Sequence, residues 1–274
     1  MVWNRIDNNR SYFYRTWQQL ETSKKYVFQG FGNFQFPKHF YIIFLTKSMM
    51  PKIIVLSLGG SLICPSNFDF DFLKKFKQFI EKYIKKNHKF VIVCGGGKLA
   101  RTFQETASKS SKLSNEDLDW LGIHATKINA YLVKSIFGNY AEDFIISNPT
   151  QKLNIKKNII IASGWKPGWS TDYDAVLLAK NLDVKEIVNM SNIDYVYDKD
   201  PKKNKDAKKI EKITWQNYSK LINKKWKAGM NAPFDPIAAK EAKKSGIKVS
   251  IIGRDLKNLE SILNGRKFKG TVIE

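Results

Sequence analysis

The sequence predicts an α/β fold, a three-layer αβα sandwich with a mostly parallel central sheet. Lys52 to Leu58 is a short apolar run rich in β-branched residues, typical of a buried strand. Asp69 to Lys86 places apolar residues three and four apart, as an amphipathic helix does. Phe90 to Cys94 is a second buried strand. Strand, helix and strand in that order predict two parallel neighbours joined by a right-handed crossover.

Later segments continue this alternation. Ser114 to Asp117 resembles a capping box and opens a helix to about Phe137, whose expected core face holds Leu118, Leu121, Ala125, Ile128 and Leu132. Asp235 as N-cap and Pro236 in the first helical position open another helix, to Ser245. Further helices are expected at Asp172–Asn181 and Thr214–Asn223, and further strands at Glu142–Ser147, Asn158–Ala162, Glu186–Met190, Ile247–Ile252 and Gly270–Ile273.

Two glycine turns follow the first two strands. Gly59-Gly60-Ser61 ends the first strand, and Gly95-Gly96-Gly97 ends the second, just before Lys98. Both turns therefore fall at the carboxyl ends of parallel strands, where open α/β sheets bind ligands. Glycine lets the backbone approach an anion, and the free N–H groups of a helix start point at it. Lys98 and Arg101 would add positive charge, although a tight strand-to-helix turn is the simpler alternative.

A third loop, with polar, charged and aromatic side chains, follows the strand that ends at Ala162. Residues 163–172 hold hydroxyl groups, one lysine, two tryptophans and one carboxylate. A structural surface loop rarely needs two tryptophans, so we favour contact with a ligand.

The composition limits which partners and which location are expected for the chain. The net charge of +22 comes from lysines that scatter around helices, which favours solvated faces over a polyanion site. Cys64 and Cys94 lie near the glycine turns without metal or disulfide spacing, so reduced thiols in a cytoplasmic protein are expected. There is no run of eighteen apolar residues, which predicts that no segment crosses a membrane.

Residues 1–50 differ from the rest and are assigned to an N-terminal aromatic and basic extension, with one domain expected at 51–274. They hold 13 of the chain's 36 aromatic residues and show no clear period. Three interpretations stand, in this order: translated sequence upstream of a start at Met49 or Met50, a covering arm, and a segment that stacks on single-stranded nucleic acid.

Residues 52–274 resemble the amino acid kinase superfamily and, within it, the archaeal-type uridylate (UMP) kinases. The likeness rests on seven motifs in the right order: Gly59-Gly60-Ser61, Gly95 to Arg101, Pro167 to Asp172, Ser191 to Asp194, Tyr197 with Asp200 to Lys203, Asp235 to Lys240, and Gly270 to Glu274.

This resemblance implies transfer of the ATP γ-phosphoryl group to UMP with Mg²⁺, in a homo-oligomer that is commonly a hexamer. No metal-binding side chain is assigned, and no membrane partner is expected. By motif position, the catalytic residues would be Lys98, Arg101 and Asp235. ATP would contact Ser57, Leu58, Gly59, Gly60, Ser61, Gly96, Arg101, Ser191, Tyr197 and Asp200. UMP would contact Gly95, Asp119, Trp165, Lys166, Pro167, Gly168, Trp169, Ser170 and Thr171.

The sequence departs from the family pattern at three places. Ser57 stands where many members have a lysine, so another cation must neutralise the γ-phosphate; Lys98, Arg101, Lys166 and Lys227 are candidates. Tyr195 stands where the family has glycine and would be strained at positive φ. Trp165 and Trp169 replace smaller or imidazole-bearing residues, and would either stack on a pyrimidine or fill the pocket.

Three rival hypotheses remain. The fold and the phosphoryl transfer could serve another small phosphate or carboxylate acceptor. Ser57 and Tyr195 could mark a catalytically weak nucleotide-binding or storage relative. The basic charge and the first fifty residues could bind nucleic acid, which we rank last.

Overall fold

The computed structural model describes residues 51–201, 203–222 and 232–274. The predictions for residues 1–50, for Lys202 and for Lys227 lie outside the described residues, as does most of the loop before Phe234.

The elements alternate as the sequence predicts, with boundaries shifted by one or two residues at several ends. In chain order they are β1 (Lys52–Leu58), α1 (Gly60–Ile63), α2 (Phe70–Ile84), β2 (His88–Cys94), α3 (Gly97–Ser110), α4 (Asn115–Phe137), a 3₁₀ turn (Gly138–Tyr140), β3 (Ala141–Ile146), β4 (Ile159–Ala162), α5 (Thr171–Asn181), β5 (Glu186–Met190), β6 (Val196–Tyr197), β7 (Lys209–Ile210), β8 (Lys212–Ile213), α6 (Trp215–Leu221), α7 (Pro236–Lys244), β9 (Lys248–Ile252), α8 (Leu256–Leu263) and β10 (Thr271–Ile273).

Eight of the described strands form one sheet, in the order β3-β4-β2-β1-β5-β9-β10-β8. The six from β3 to β9 run parallel, whereas β10 is antiparallel to β9 and β8 is parallel to β10. From β1, the chain adds strands first on the β2 side and later on the β5 side. This reversal of strand order makes the carboxyl ends of β1, β2 and β5 the expected place for a ligand.

Helices cover both faces of the sheet. Side chains of α2, α4 and α8 pack with Ile54, Leu56 and Leu58 of β1 on one face. Those of α5, α6 and α7 pack with Val55 on the other. Alternate residues of β1 thus enter different layers, as the two-residue period of a strand requires. The predicted three-layer sandwich with a mostly parallel sheet is confirmed.

Several local predictions differ from the structure. The helices α1 and α8 and the antiparallel ribbon β6–β7 lie where no element was predicted. On α4, Ile128 was placed on the core face but is 48% exposed, because the buried face holds Ile123, Ala130, Val133 and Phe137 instead.

None of the described helices combines the length and the apolar character that crossing a membrane requires.

Candidate functional site at the carboxyl edge of the sheet

The two glycine turns pack directly against each other. A Cβ atom built on Gly60 would lie 2.2 Å from the nitrogen of Gly97 and 2.5 Å from the carbonyl oxygen of Gly95. Gly97 also has a φ of +61°, which favours glycine. The amide of Gly95 donates to the carbonyl of Leu58 at 2.9 Å, which joins the end of β1 to the second turn. Both turns therefore open at the same edge of the sheet, and no larger residue fits their contact.

The second turn starts a helix without a side-chain cap. Helix α3 begins at Gly97, and its N-cap Gly96 supplies no side-chain hydrogen bond to the first turn. The N–H groups of that turn are thus left for an anion or for water. Gly96 and Gly97 both line the cleft described below.

Helix α4 holds the two walls of the site. Asn129 Nδ2 donates to the carbonyls of Gly95 and Gly96, at 2.8 and 3.2 Å. On the other side, the amide of Gly164 donates to Thr126 Oγ1 at 2.8 Å. Asp119 Oδ2 accepts from the amide of Gly168 at 2.6 Å. One helix therefore fixes the glycine turn relative to the loop at residues 163–170, which we call the acceptor loop.

The acceptor loop carries a compact aromatic cluster. The rings of Trp165 and Trp169 meet edge to face with centroids 5.0 Å apart, and those of Trp169 and Tyr173 do so at 4.3 Å. Lys166 Nζ lies 4.3 and 4.4 Å from the two indole centroids, within cation–π range. The amide of Trp165 donates to Asp174 Oδ2, which anchors the start of the loop. The tryptophans thus pack mainly on each other and on Tyr173.

An open cleft of about 220 Å³ separates the second glycine turn from the acceptor loop. Gly96, Gly97 and Arg101 line one side. Trp169 and the start of α5 line the other, and Asp119 lies at the α4 side. The tryptophans do not fill this space, so the cleft can admit a ligand.

Asp172 is the polar centre of the site and was not among the predicted site residues. Its Oδ1 accepts from Ser57 Oγ at 3.2 Å and from Asn189 Nδ2 at 3.0 Å, and its Oδ2 accepts from the amide of Asp235 at 3.2 Å. Burial and the nearby charge of Asp235 raise the pKa of Asp172 to about 7, although these hydrogen bonds lower it in part. Burial also raises the pKa of Asp235.

This raised pKa predicts how stability changes with pH. An unfolded Asp has a pKa of about 3.9, so between pH 4 and 7 the unfolded chain releases a proton that the folded chain keeps. Stability from Asp172 is therefore complete below pH 4 and is lost as the pH rises to 7. Asp172→Asn does not titrate there, so its gain in free energy of unfolding over wild type should grow to about 4 kcal/mol by pH 8.

Urea denaturation from pH 4 to pH 8 measures this gain. The exposed Glu105→Gln is the matched control, for which the difference from wild type should stay flat. A pH-independent difference for Asp172→Asn would contradict the assignment.

The structure brings seven of the predicted site residues to the cleft: Gly96, Arg101, Asp119, Trp169, Ser170, Thr171 and Asp235. Among the described residues that line it, Arg101 is the basic one. Lys98 is exposed and is not among them. Asp235 both lines the cleft and caps α7, since its Oδ1 accepts from the amide of Ala238 at 2.6 Å. The capping and functional readings of Asp235 are thus compatible.

The remaining predicted residues lie around this centre or away from it. Leu58 is fully buried and Ser57 nearly so, which leaves Leu58 only its backbone for a nucleotide. Gly59 and Ser191 are neighbours, because the amide of Gly59 donates to the carbonyl of Met190 at 2.8 Å. The rest do not line the cleft: Gly59, Gly60, Ser61, Gly95, Trp165, Lys166, Pro167, Gly168, Ser191, Tyr197 and Asp200.

Tyr195 does not have the positive φ at which it would be strained. Among the described residues other than glycine, only Asn87 and Asp183 have positive φ. The Tyr195 ring lies beneath Lys209 Nζ, 5.0 Å from its centroid. The loop after β5 therefore accommodates tyrosine without a left-handed backbone.

A parallel sheet with two touching glycine turns, an uncapped helix start and a facing loop is the architecture that the resemblance to the amino acid kinases predicts. The model of the amino acid kinase family matches residues 52–253. This chain belongs to that family.

Similar proteins narrow the assignment to one group within this family. The uridylate kinase of Thermococcus kodakarensis is 36% identical over 225 residues, which cover 81% of this chain and 99% of the relative. That of Pyrococcus abyssi is 37% identical over 227 residues, with the same coverage. The crystal structure of uridylate kinase from Archaeoglobus fulgidus superposes with a TM-score of 0.70 at 32% identity, covering 81% of this chain and 100% of that one. Within the amino acid kinase family, the chain therefore groups with the uridylate kinases.

Proposed function

We propose that this protein transfers the γ-phosphoryl group of ATP to UMP, giving UDP and ADP for pyrimidine nucleotide synthesis. The observation that carries the proposal is the open cleft between the second glycine turn and the acceptor loop. One wall offers backbone N–H groups and Arg101, and the other offers Trp169, hydroxyl groups and the Asp119 carboxylate. These groups suit two phosphorylated molecules placed end to end.

Phosphoryl transfer requires that the reacting groups are positioned and that the charge of the transferred group is neutralised. Phosphoryl transfer passes through a loose transition state, and UMP brings its own nucleophile, a phosphate oxygen. The first turn of α3 and Arg101 would hold the transferred group and offset its charge. The γ-phosphorus–oxygen bond to ADP breaks as the bond to the UMP oxygen forms. Because α4 holds both walls of the cleft in place, the walls would keep the attacking UMP oxygen and the leaving ADP oxygen in line.

The acceptor site would hold UMP by its phosphate, ribose and base. Trp169 offers an indole at the cleft wall on which a pyrimidine can stack. Asp119 would accept from ribose hydroxyl groups with the oxygen that the Gly168 amide leaves free. Ser191, Tyr197 and Asp200 would lie on the adenine side, beyond the first glycine turn.

The carboxylates of the cleft fit a role for Mg²⁺. This ion is usually held by one or two carboxylates together with substrate phosphates. Asp172 and Asp235 line the cleft, and Asp235 Oδ2 is buried without a hydrogen-bond partner among the described residues. These two residues would hold Mg²⁺ with the ATP phosphates, where the ion would neutralise the negative charge that the reaction moves.

The proposal includes a cytoplasmic location and a homo-oligomeric state. Both buried cysteines, Cys64 and Cys94, are free thiols, as a reducing compartment favours.

A coupled assay of ADP release tests the acceptor. The full chain with ATP and Mg²⁺ should turn over UMP, and its kcat/KM should be at least about 100-fold higher for UMP than for CMP or AMP, as its similarity to uridylate kinases implies. Equal turnover of all three would reject the uridine assignment. Turnover of a different small phosphate alone would favour the rival acceptor, and ATP binding without ADP release would favour the storage relative.

A further inference from the structure

Gln104 is a polar residue of the cleft to which the proposed reaction assigns no role. It lies on α3 three residues after Arg101, so the two side chains lie on the same side of the helix. The Gln104 side chain is partly buried and lines the cleft together with Asp119 and Gly122 of α4. Gln104 therefore lies within reach of a ligand that occupies the cleft.

The partner of the Gln104 amide fixes its orientation. Gln104 Nε2 donates to the backbone carbonyl of Leu118 at 2.9 Å. A carbonyl oxygen can only accept, so the amide nitrogen must face it, and a flipped amide would set two oxygens against each other. A Cβ atom built on Gly122 would lie 3.1 Å from Nε2, so this nitrogen takes the space that a side chain at residue 122 would fill. The backbone of α4 thus holds the amide nitrogen.

This orientation leaves the amide oxygen of Gln104 for a ligand. Within the described part of the chain, the hydrogen bond to Leu118 is the one that the Gln104 side chain makes. Its Oε1 therefore keeps both lone pairs, next to an open cleft. Turning the oxygen away would break the bond to Leu118, so the residue offers a fixed acceptor rather than an adaptable amide.

The place of Gln104 along α3 suits the base of a nucleotide. Helix α3 begins at Gly97, and Gln104 follows seven residues later, which is about 10 Å along the helix axis. In the proposed site, the UMP phosphate lies at this helix start, the ribose contacts Asp119 and the base stacks on Trp169. A nucleotide placed in this way extends along α3 and brings the edge of its pyrimidine toward Gln104.

We propose that Gln104 selects uracil over cytosine by accepting a hydrogen bond from uracil N3–H at Oε1. The inference rests on the proposed function, in which UMP is the acceptor. Uracil has a hydrogen on N3, whereas the same nitrogen of cytosine has a lone pair. A fixed acceptor therefore pairs with uracil but sets one lone pair against another when cytosine is bound. Because Leu118 prevents a flip, Gln104 cannot offer cytosine a donor instead.

Steady-state kinetics of the full chain with UMP and CMP test the proposal. Gln104→Leu should lower kcat/KM for UMP about tenfold, mainly through KM, and keep kcat/KM for CMP within about threefold of wild type. The exposed Ser108→Ala on α3 is the matched control and should keep both values. An unchanged preference for UMP in Gln104→Leu would overturn this inference alone. A wild type that does not turn over UMP would overturn the proposed function as well.

A substrate analogue tests the hydrogen bond without any need for catalysis. Calorimetry without ATP should show that wild type binds 3-methyl-UMP, which lacks N3–H, at least about tenfold more weakly than UMP. In Gln104→Leu, and in Gln104→Met with its longer side chain, this difference should shrink to within about threefold, because the fixed acceptor is gone. The same tenfold difference in wild type and in both variants would show that N3–H does not meet Gln104 and would overturn the inference.

Discussion

Gly60→Ala should abolish phosphoryl transfer and lower the free energy of unfolding by at least about 3 kcal/mol, an effect typical of forced overlap in a packed site. The added methyl group would lie 2.2 Å from the Gly97 nitrogen, and its three nearest neighbours are backbone atoms that cannot rotate away. The two turns would have to separate, and the proposed phosphate site would open. A kinase assay and urea denaturation measure the two effects.

The matched control is Gly246→Ala. Gly246 has a φ of +60° but open space around its Cβ position, in the turn between α7 and β9. This variant should lose about 1–2 kcal/mol through backbone strain alone and keep its activity. A fully active and stable Gly60→Ala would show that the two turns are not in contact in solution.

Arg101→Ala should lower kcat/KM by about 10³-fold, the effect of removing a charge that acts on a transferring phosphoryl group. Ser57 cannot supply this charge, and Arg101 is the basic side chain among the described residues that line the cleft. Arg101→Lys should recover only part of the rate, because an ammonium group lacks the planar fork of guanidinium. Steady-state kinetics with ATP and UMP measure both variants.

Variants of two lysines on α3 serve as controls for Arg101→Ala. Lys98→Ala should lose less than about tenfold, because Lys98 is exposed outside the cleft lining. Lys109→Ala, at the far end of α3, should behave as wild type. If Lys98→Ala lost more activity than Arg101→Ala, the γ-phosphate would lie beside Lys98 and the proposed placement of the nucleotide would be wrong.

The strands and glycine turns could be predicted because their signals are local. A buried parallel strand appears as an apolar run, and glycines after it mark the turn, so β1, β5 and the turn at Gly95–Gly97 follow from the sequence. Short elements held by tertiary contacts carry no such signal. The β6–β7 ribbon pairs residues more than ten apart, each strand being two residues long.

Asp172 was missed for a related reason. An acidic residue in the first turn of a helix is common for electrostatic reasons alone, so its position did not mark it. Its partners gave the available signal: Ser57 and Asn189 are polar residues that lie between apolar residues near the ends of β1 and β5, and both are buried. Taken together with the start of α5, these two residues would have indicated a buried carboxylate at the site.

Ile128 shows the limit of periodicity on a helix that is apolar on more than one side. Apolar residues surround much of α4, and the sequence alone could not decide which of them face the sheet. The residues at 123, 130, 133 and 137 do so, which leaves Ile128 with Trp120 and Tyr131 on the outside.

In the proposed reaction, the phosphates of ATP and UMP meet end to end at the cleft. Inhibition by a bisubstrate analogue, adenosine and uridine joined through a chain of five phosphates, tests this arrangement. The analogue should be competitive against both ATP and UMP, and Arg101→Ala should weaken its binding. Competition against ATP alone, with UMP able to bind at the same time, would contradict the shared cleft.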